Sequence, residues 1–141
     1  MTPEETVRAY YDALRAGDPL APFFVESPNV VKFGVDERLT GYAEVARGLR
    51  EQTRTTEDWT VESRDLRTVR RGAADLADAT HAAYSDDVRM AWYDTEAFRD
   101  REYETRWSGT LTRTDDDREW AFLGLHVSVA HDPDGSAGSD D

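Results

Sequence analysis

At 141 residues the chain is one domain, long enough to bury a core and too short for two. Its 30 acidic and 17 basic residues leave a net charge of −13, which argues against nucleic acid and against an anionic membrane surface, since phosphates need Lys and Arg to displace their counterions. The absence of cysteine excludes disulfides, thiol chemistry and cysteine metal sites.

The opening Met1-Thr2-Pro3-Glu4-Glu5 lacks the basic and apolar parts of a signal peptide. No stretch reaches the roughly 18 consecutive apolar residues of a membrane span. The expectation is a cytoplasmic protein. Thr2 is placed to cap a first helix, Pro3 suits its first turn, and Glu4 and Glu5 favour the positive end of its dipole. Val7, Tyr10, Tyr11 and Leu14 then share one face, and Gly17 ends the helix. A short helix near Pro19 to Val25 and a strand from Asn29 to Val35 follow, then the charged turn Asp36-Glu37-Arg38. Tyr42, Val45, Ala46 and Leu49 give a helix from Gly41 to Arg54 its buried stripe.

Strands are expected over Trp59 to Arg70 and Ala74 to Ser85, separated by a turn at Arg71-Gly72. The segment Asp86 to Arg101, with Trp92, Tyr93 and Phe98 among many charges, has no readable period. The last hairpin spans Glu102 to Arg113 and Glu119 to Ala130. A turn centred on Asp116-Asp117 pairs Leu111 with Phe122 and Trp107 with His126, which points Arg106 into the concave face beside Leu123, Leu125 and Val127. The domain therefore runs over residues 1–130, and 131–141 read as a disordered acidic tail. Leading helices and trailing antiparallel strands make an α+β fold, one curved sheet wrapped around helices as a cone. Both faces of the last strand are apolar, so a homodimer burying its Trp107, Phe122 and His126 side is expected.

The stretch Glu104-Thr105-Arg106-Trp107, the strand Trp120 to Ser128 ending in His126-Val127-Ser128, and the helix from Val7 to Asp18 resemble the SnoaL-like branch of the nuclear transport factor 2-like superfamily. The hairpin is also similar to the association domain of calcium/calmodulin-dependent kinase II. That resemblance implies a pocket arginine at Arg106, while a second pocket arginine of that domain is replaced by Val127. A distant enzyme relative, ketosteroid isomerase, has a first-helix tyrosine that Tyr10 matches. Its general-base aspartate would fall near Lys32 to Gly34, where no carboxylate stands.

The chemistry-bearing residues taken alone say less. His126 and Ser128 share a strand face, but at i, i+2 they stand about 7 Å apart, too far for a direct hydrogen bond. The three histidines lack metal-ligand spacing, and the pairs Asp86-Asp87 and Asp115-Asp116-Asp117 read as turns, so neither metal nor cofactor is expected. The basic residues comprise 16 Arg and one Lys, Lys32, and there is no Ile. That balance resembles salt-adapted proteins of halophilic archaea, whose hydrated carboxylates keep them in solution. The expected ligand is a small, partly apolar molecule with a carboxylate or carbonyl, held by Tyr10, Trp59, Asp78, Trp92 and Arg106. An isomerase, cyclase or hydratase using Tyr10 as donor and Asp78 as base is the second reading, and a structural dimerisation module the third.

Overall fold

The N-terminal helix α1, Pro3–Ala16, forms where its caps dictate. Thr2 Oγ1 accepts from Glu5 N at 3.1 Å and Glu5 Oε1 accepts from Thr2 N at 2.8 Å, a reciprocal capping box. Gly17 ends the helix at φ 73, the left-handed conformation a side chain resists. The computed structural model describes residues 1–72, 79–115 and 119–130. Among them the expected second helix shrinks to one 3-10 turn, Ala21–Phe23, after which Phe24 bridges to Phe122.

The expected strand after it is β1, Val31–Phe33, and a short partner not expected from the sequence, β2, Arg38–Thr40, begins at the last residue of the charged turn. Helix α2, Tyr42–Thr55, buries Val45, Ala46 and Leu49. The long strand expected from Trp59 is two, β3 (Thr56–Ser63) and β4 (Arg67–Arg71), which share one edge of β5. The unreadable segment is ordered: β5 runs His81–Asp94, a tight turn follows, and β6 runs Arg99–Arg113. Strand β7 is Trp120–Val129. The order is β2-β1-β7-β6-β5-β3 with β4 beside β5, antiparallel except where β1 runs parallel to β7. The fold is the α+β cone, two helices held in a curved mixed sheet. Ala74 to Asp78, the turn centre Asp116-Asp117 and the tail 131–141 lie outside the described residues.

The hairpin register holds at one end and slips at the other. Leu111 faces Phe122 as expected, but a bulge then places Thr110 opposite Gly124 and Trp107 opposite Val127. One extra residue reverses the side-chain phase of everything beyond it. Phe122 and Leu125 therefore both point inward, and Leu123 between them turns out to solvent. Gly109 permits the close approach, because a Cβ there would collide with the Gly124 carbonyl oxygen.

Tyr10 sits at the centre of the core, edge-on to Phe23, Phe122, Phe24 and Trp107 at 5.3–6.3 Å. Trp107 and Phe122 are buried under α1 within one chain, so neither is available for the sheet-to-sheet contact expected of them. The outer face is polar instead, with Ser85, Asp87, Arg106, Ser108, His126 and Ser128 around a shallow depression.

Candidate functional site

A cavity of about 330 Å³ opens between the two helices, the β1–β2 turn and the inner face of the sheet. One wall is aromatic. A bulge at Asp58-Trp59, where Asp58 takes φ 58, turns Trp59 inward so that it stacks on Trp92 with centroids 4.6 Å apart. Tyr103 continues the stack at 5.5 Å from Trp92. Trp59 Nε1 donates to Thr56 Oγ1 at 2.8 Å, which fixes the indole.

Two ion pairs supply the polar groups. Arg101 reaches Asp94 Oδ2 at 3.0 Å, and Asp94 also accepts from the backbone of Ala97 and Glu96 in the β5–β6 turn. The Ala97 amide, with the Arg101 guanidinium behind it, holds the Asp94 carboxyl below its ordinary range. Lys32 Nζ lies 2.8 Å from Glu37 Oε2, and its side chain is only 6% exposed. Strand alternation makes this so: Lys32 is the inward residue of β1, between Val31 and the exposed Phe33. Gly34 completes the arrangement, since a Cβ there would meet the Glu37 carboxylate at 2.7 Å.

Of the residues singled out from the sequence, Tyr10, Trp59 and Trp92 line this cavity. Asp78 lies outside the described residues. Arg106 does not line it: β6 alternates unbroken, so Arg106, between buried Thr105 and Trp107, lies on the outer face, where it is exposed and Nη2 reaches Ser128 Oγ at 3.5 Å. His126 and Ser128 are outward with it, and His126 packs on Phe33. Burial raises the Tyr10 phenol well above its ordinary range, with the Glu37 charge adding to it. Among the described residues no hydrogen bond is made by its hydroxyl.

Sequence reasoning missed the Asp94–Arg101 pair and Tyr103, which lie in or beside the segment without a readable period, and also Lys32, Glu37 and Asp86. Lys32 and Glu37 stand on either side of a turn and meet only because the turn folds back, Gly34 N donating to Glu37 O at 3.0 Å. Period-2 alternation pointed the other way, since Val31, Phe33 and Val35 are the apolar alternate positions and would place Lys32 outside. Asp86, read as part of a solvated turn, is an inward residue of β5 and 4% exposed. It accepts from Ser63 Oγ at 2.6 Å, Tyr11 Oη at 2.9 Å and Asp65 N at 2.9 Å.

This geometry can be set beside known proteins. The model of the SnoaL-like domain matches residues 4–132 of the chain. The chain belongs to the SnoaL-like domain family. No curated protein matches it in sequence. Among solved structures it is similar to a nuclear transport factor 2-like superfamily protein from Salmonella enterica serovar Typhimurium LT2, at 15% identity over 96% of this chain and 93% of that one, TM-score 0.73. A nuclear transport factor 2-like protein of unknown function from Pseudomonas putida KT2440 shares 15% identity over 97% and 90%, TM-score 0.73. A ketosteroid isomerase-like protein from Erwinia carotovora atroseptica SCRI1043 shares 14% over 89% and 91%, TM-score 0.68. At such identities the likeness is one of fold.

Proposed function

We propose that this protein binds a small, planar, partly apolar molecule bearing a carboxylate or carbonyl oxygen. The supporting observation is the cavity itself: its volume is at the small end of the roughly 300–1,000 Å³ of ligand sites. Its aromatic wall suits a flat apolar body, and the cations of Lys32 and Arg101 suit an oxygen at the edge. Titration with 2-naphthoate, followed by tryptophan fluorescence, tests this. Trp59→Ala should weaken binding about tenfold, the worth of one stacking contact. An unchanged signal up to millimolar naphthoate would reject the reading.

The Tyr10 hydroxyl and the Glu37 carboxylate, which line the same cavity, support the second reading, an isomerase, cyclase or hydratase. Tyr10 would donate to a developing oxyanion, with Glu37 in the role the sequence assigned to Asp78. Exchange of the α-protons of a bound ketone in heavy water, lost in Glu37→Gln, is the corresponding test. A ketone that binds without exchanging would leave binding alone.

We also infer that two copies pair through the outer face of the sheet. Asp87 and Arg106 are register partners there, so a two-fold axis brings Asp87 of each copy to Arg106 of the other. Exposed Phe33 and Leu123 supply apolar area on the same side.

A further inference from the structure

We propose that Lys32 is a carbonyl-reactive amine, which condenses with an aldehyde or ketone bound in the cone to form an iminium. The proposal rests on the cone being a ligand site and adds the chemical class and the covalent step.

Three observations converge on it. First, the chain uses arginine at 16 of its 17 basic positions, and Lys32 is its one lysine. Among the described residues the other side-chain ion pairs are made by arginine, as in Arg8–Glu4, Arg15–Asp12, Arg89–Glu102 and Arg101–Asp94. An ion pair alone does not require the exception. What arginine cannot do is release a proton and offer a lone pair, because its guanidinium stays charged in proteins. Second, Lys32 is buried on the inward side of β1 and lines the same cavity as Tyr10, Trp107 and Val127. That places the amine where a carbonyl held against the aromatic wall would meet it. Third, a carboxylate is in place to move the proton, with Glu37 Oε2 at 2.8 Å from Nζ.

The step balances without a further reagent. One ammonium proton of Lys32 passes to Glu37, and the nitrogen lone pair forms a bond to the carbonyl carbon while the C=O π pair moves to oxygen. The second nitrogen proton reaches that oxygen, which becomes a hydroxyl. Glu37 returns its proton to the hydroxyl, which leaves as water as the nitrogen lone pair forms the C=N bond. The sum is Lys–NH3⁺ plus a carbonyl giving a protonated imine plus water, with Glu37 again a carboxylate. Tyr10, which lines the same cavity, donates to the carbonyl oxygen and increases its electrophilicity.

The single lysine makes the test direct. The folded protein is incubated with 2-naphthaldehyde and sodium cyanoborohydride, which reduces the iminium to a stable secondary amine, and the adduct is located by intact mass and peptide mapping. One adduct on Lys32, forming faster than on the Met1 amine, is expected. Lys32→Arg keeps the cation beside Glu37 and should lose the adduct completely. Glu37→Gln should slow it by roughly 100-fold, the low end of what a positioned acid–base group contributes. Binding of 2-naphthalenemethanol, which has no carbonyl, is read separately by tryptophan fluorescence. If the alcohol binds and Lys32 reacts no faster than in the unfolded chain, the imine proposal is overturned and the cone reading stands. If neither compound enters the cone, both fall.

Discussion

Tyr11 Oη donates to Asp86 Oδ2 at 2.9 Å, joining the first helix to a strand 75 residues further along the chain. Tyr84 adds its own hydroxyl 2.6 Å from that of Tyr11, and Ser63 reaches the same carboxylate oxygen from β3. Asp86 therefore sits where β3 leaves the edge of β5 and β4 has yet to begin, and it satisfies the Asp65 amide exposed by that gap. The network fixes the rotation of α1, and with it the direction in which Tyr10 points.

Asp86→Ala should lower the unfolding free energy by about 2–3 kcal/mol, since the half-buried Ser63 hydroxyl and Asp65 amide lose their acceptor and Tyr11 keeps only Tyr84. Tyr11→Phe removes one donor and should cost about 1–2 kcal/mol. Urea unfolding of the two variants checks the ranking. Equal stability of Asp86→Ala and the parent would mean that water replaces the carboxylate at no cost.

Alkaline pH should unfold the protein steeply. Burial raises the phenols of Tyr10, Tyr11 and Tyr84 above their ordinary value of 10.0. Each folded-state value exceeds the unfolded one, so the stability they contribute is whole below about pH 10 and is lost as the pH rises beyond it. Each tyrosine that stays protonated should lower stability by about 1.4 kcal/mol per pH unit in that range. Tyrosinate absorbance should show these three ionising together with loss of helix. A smooth titration well before unfolding would contradict it.

Salt should stabilise the fold. The net charge of −13 on a small surface is self-repelling, and the Debye length falls from about 10 to about 3 Å between 0.1 and 1 M salt. The thermal midpoint should rise by about 5 °C or more, at about 2–4 °C per kcal/mol. A flat midpoint in potassium chloride would remove the case for salt adaptation.

Self-association through the outer face predicts twice the 16.0 kDa chain mass in light scattering at micromolar concentration. Arg106→Glu places a carboxylate against Asp87 and should shift the mass to that of a monomer. A parent protein that is monomeric throughout would exclude the pairing.

The elements of the front half were legible because their signals are local. Thr2, Pro3 and Gly17 act on neighbouring backbone groups, and the stripes of α1 and α2 need only a 3.6-residue period. Tyr10 was legible from its place on the stripe of α1 and its likeness to a first-helix tyrosine. Trp59 and Trp92 carried no signal beyond being nearby aromatics, and it is the bulge at Asp58-Trp59 and the strand β5 that bring them to the cavity. Arg106 was assigned to the concave face together with Leu125 and Val127, which the bulge in β7 turns to the Trp107 side instead, and the Gly109–Gly124 approach that inserts the bulge has no local mark. Asp86 beside Asp87 looks like a solvated turn in any short window, and only the gap between β3 and β4 makes one of the two an interior acceptor. Lys32 and Glu37 likewise become a pair through the fold of one turn. Composition and period determined the two long helices, the last hairpin and the α+β class, because those follow from neighbours in sequence. Which charges face the cavity was decided by tertiary structure, because a buried charge is tolerated only where distant parts of the chain bring it a partner.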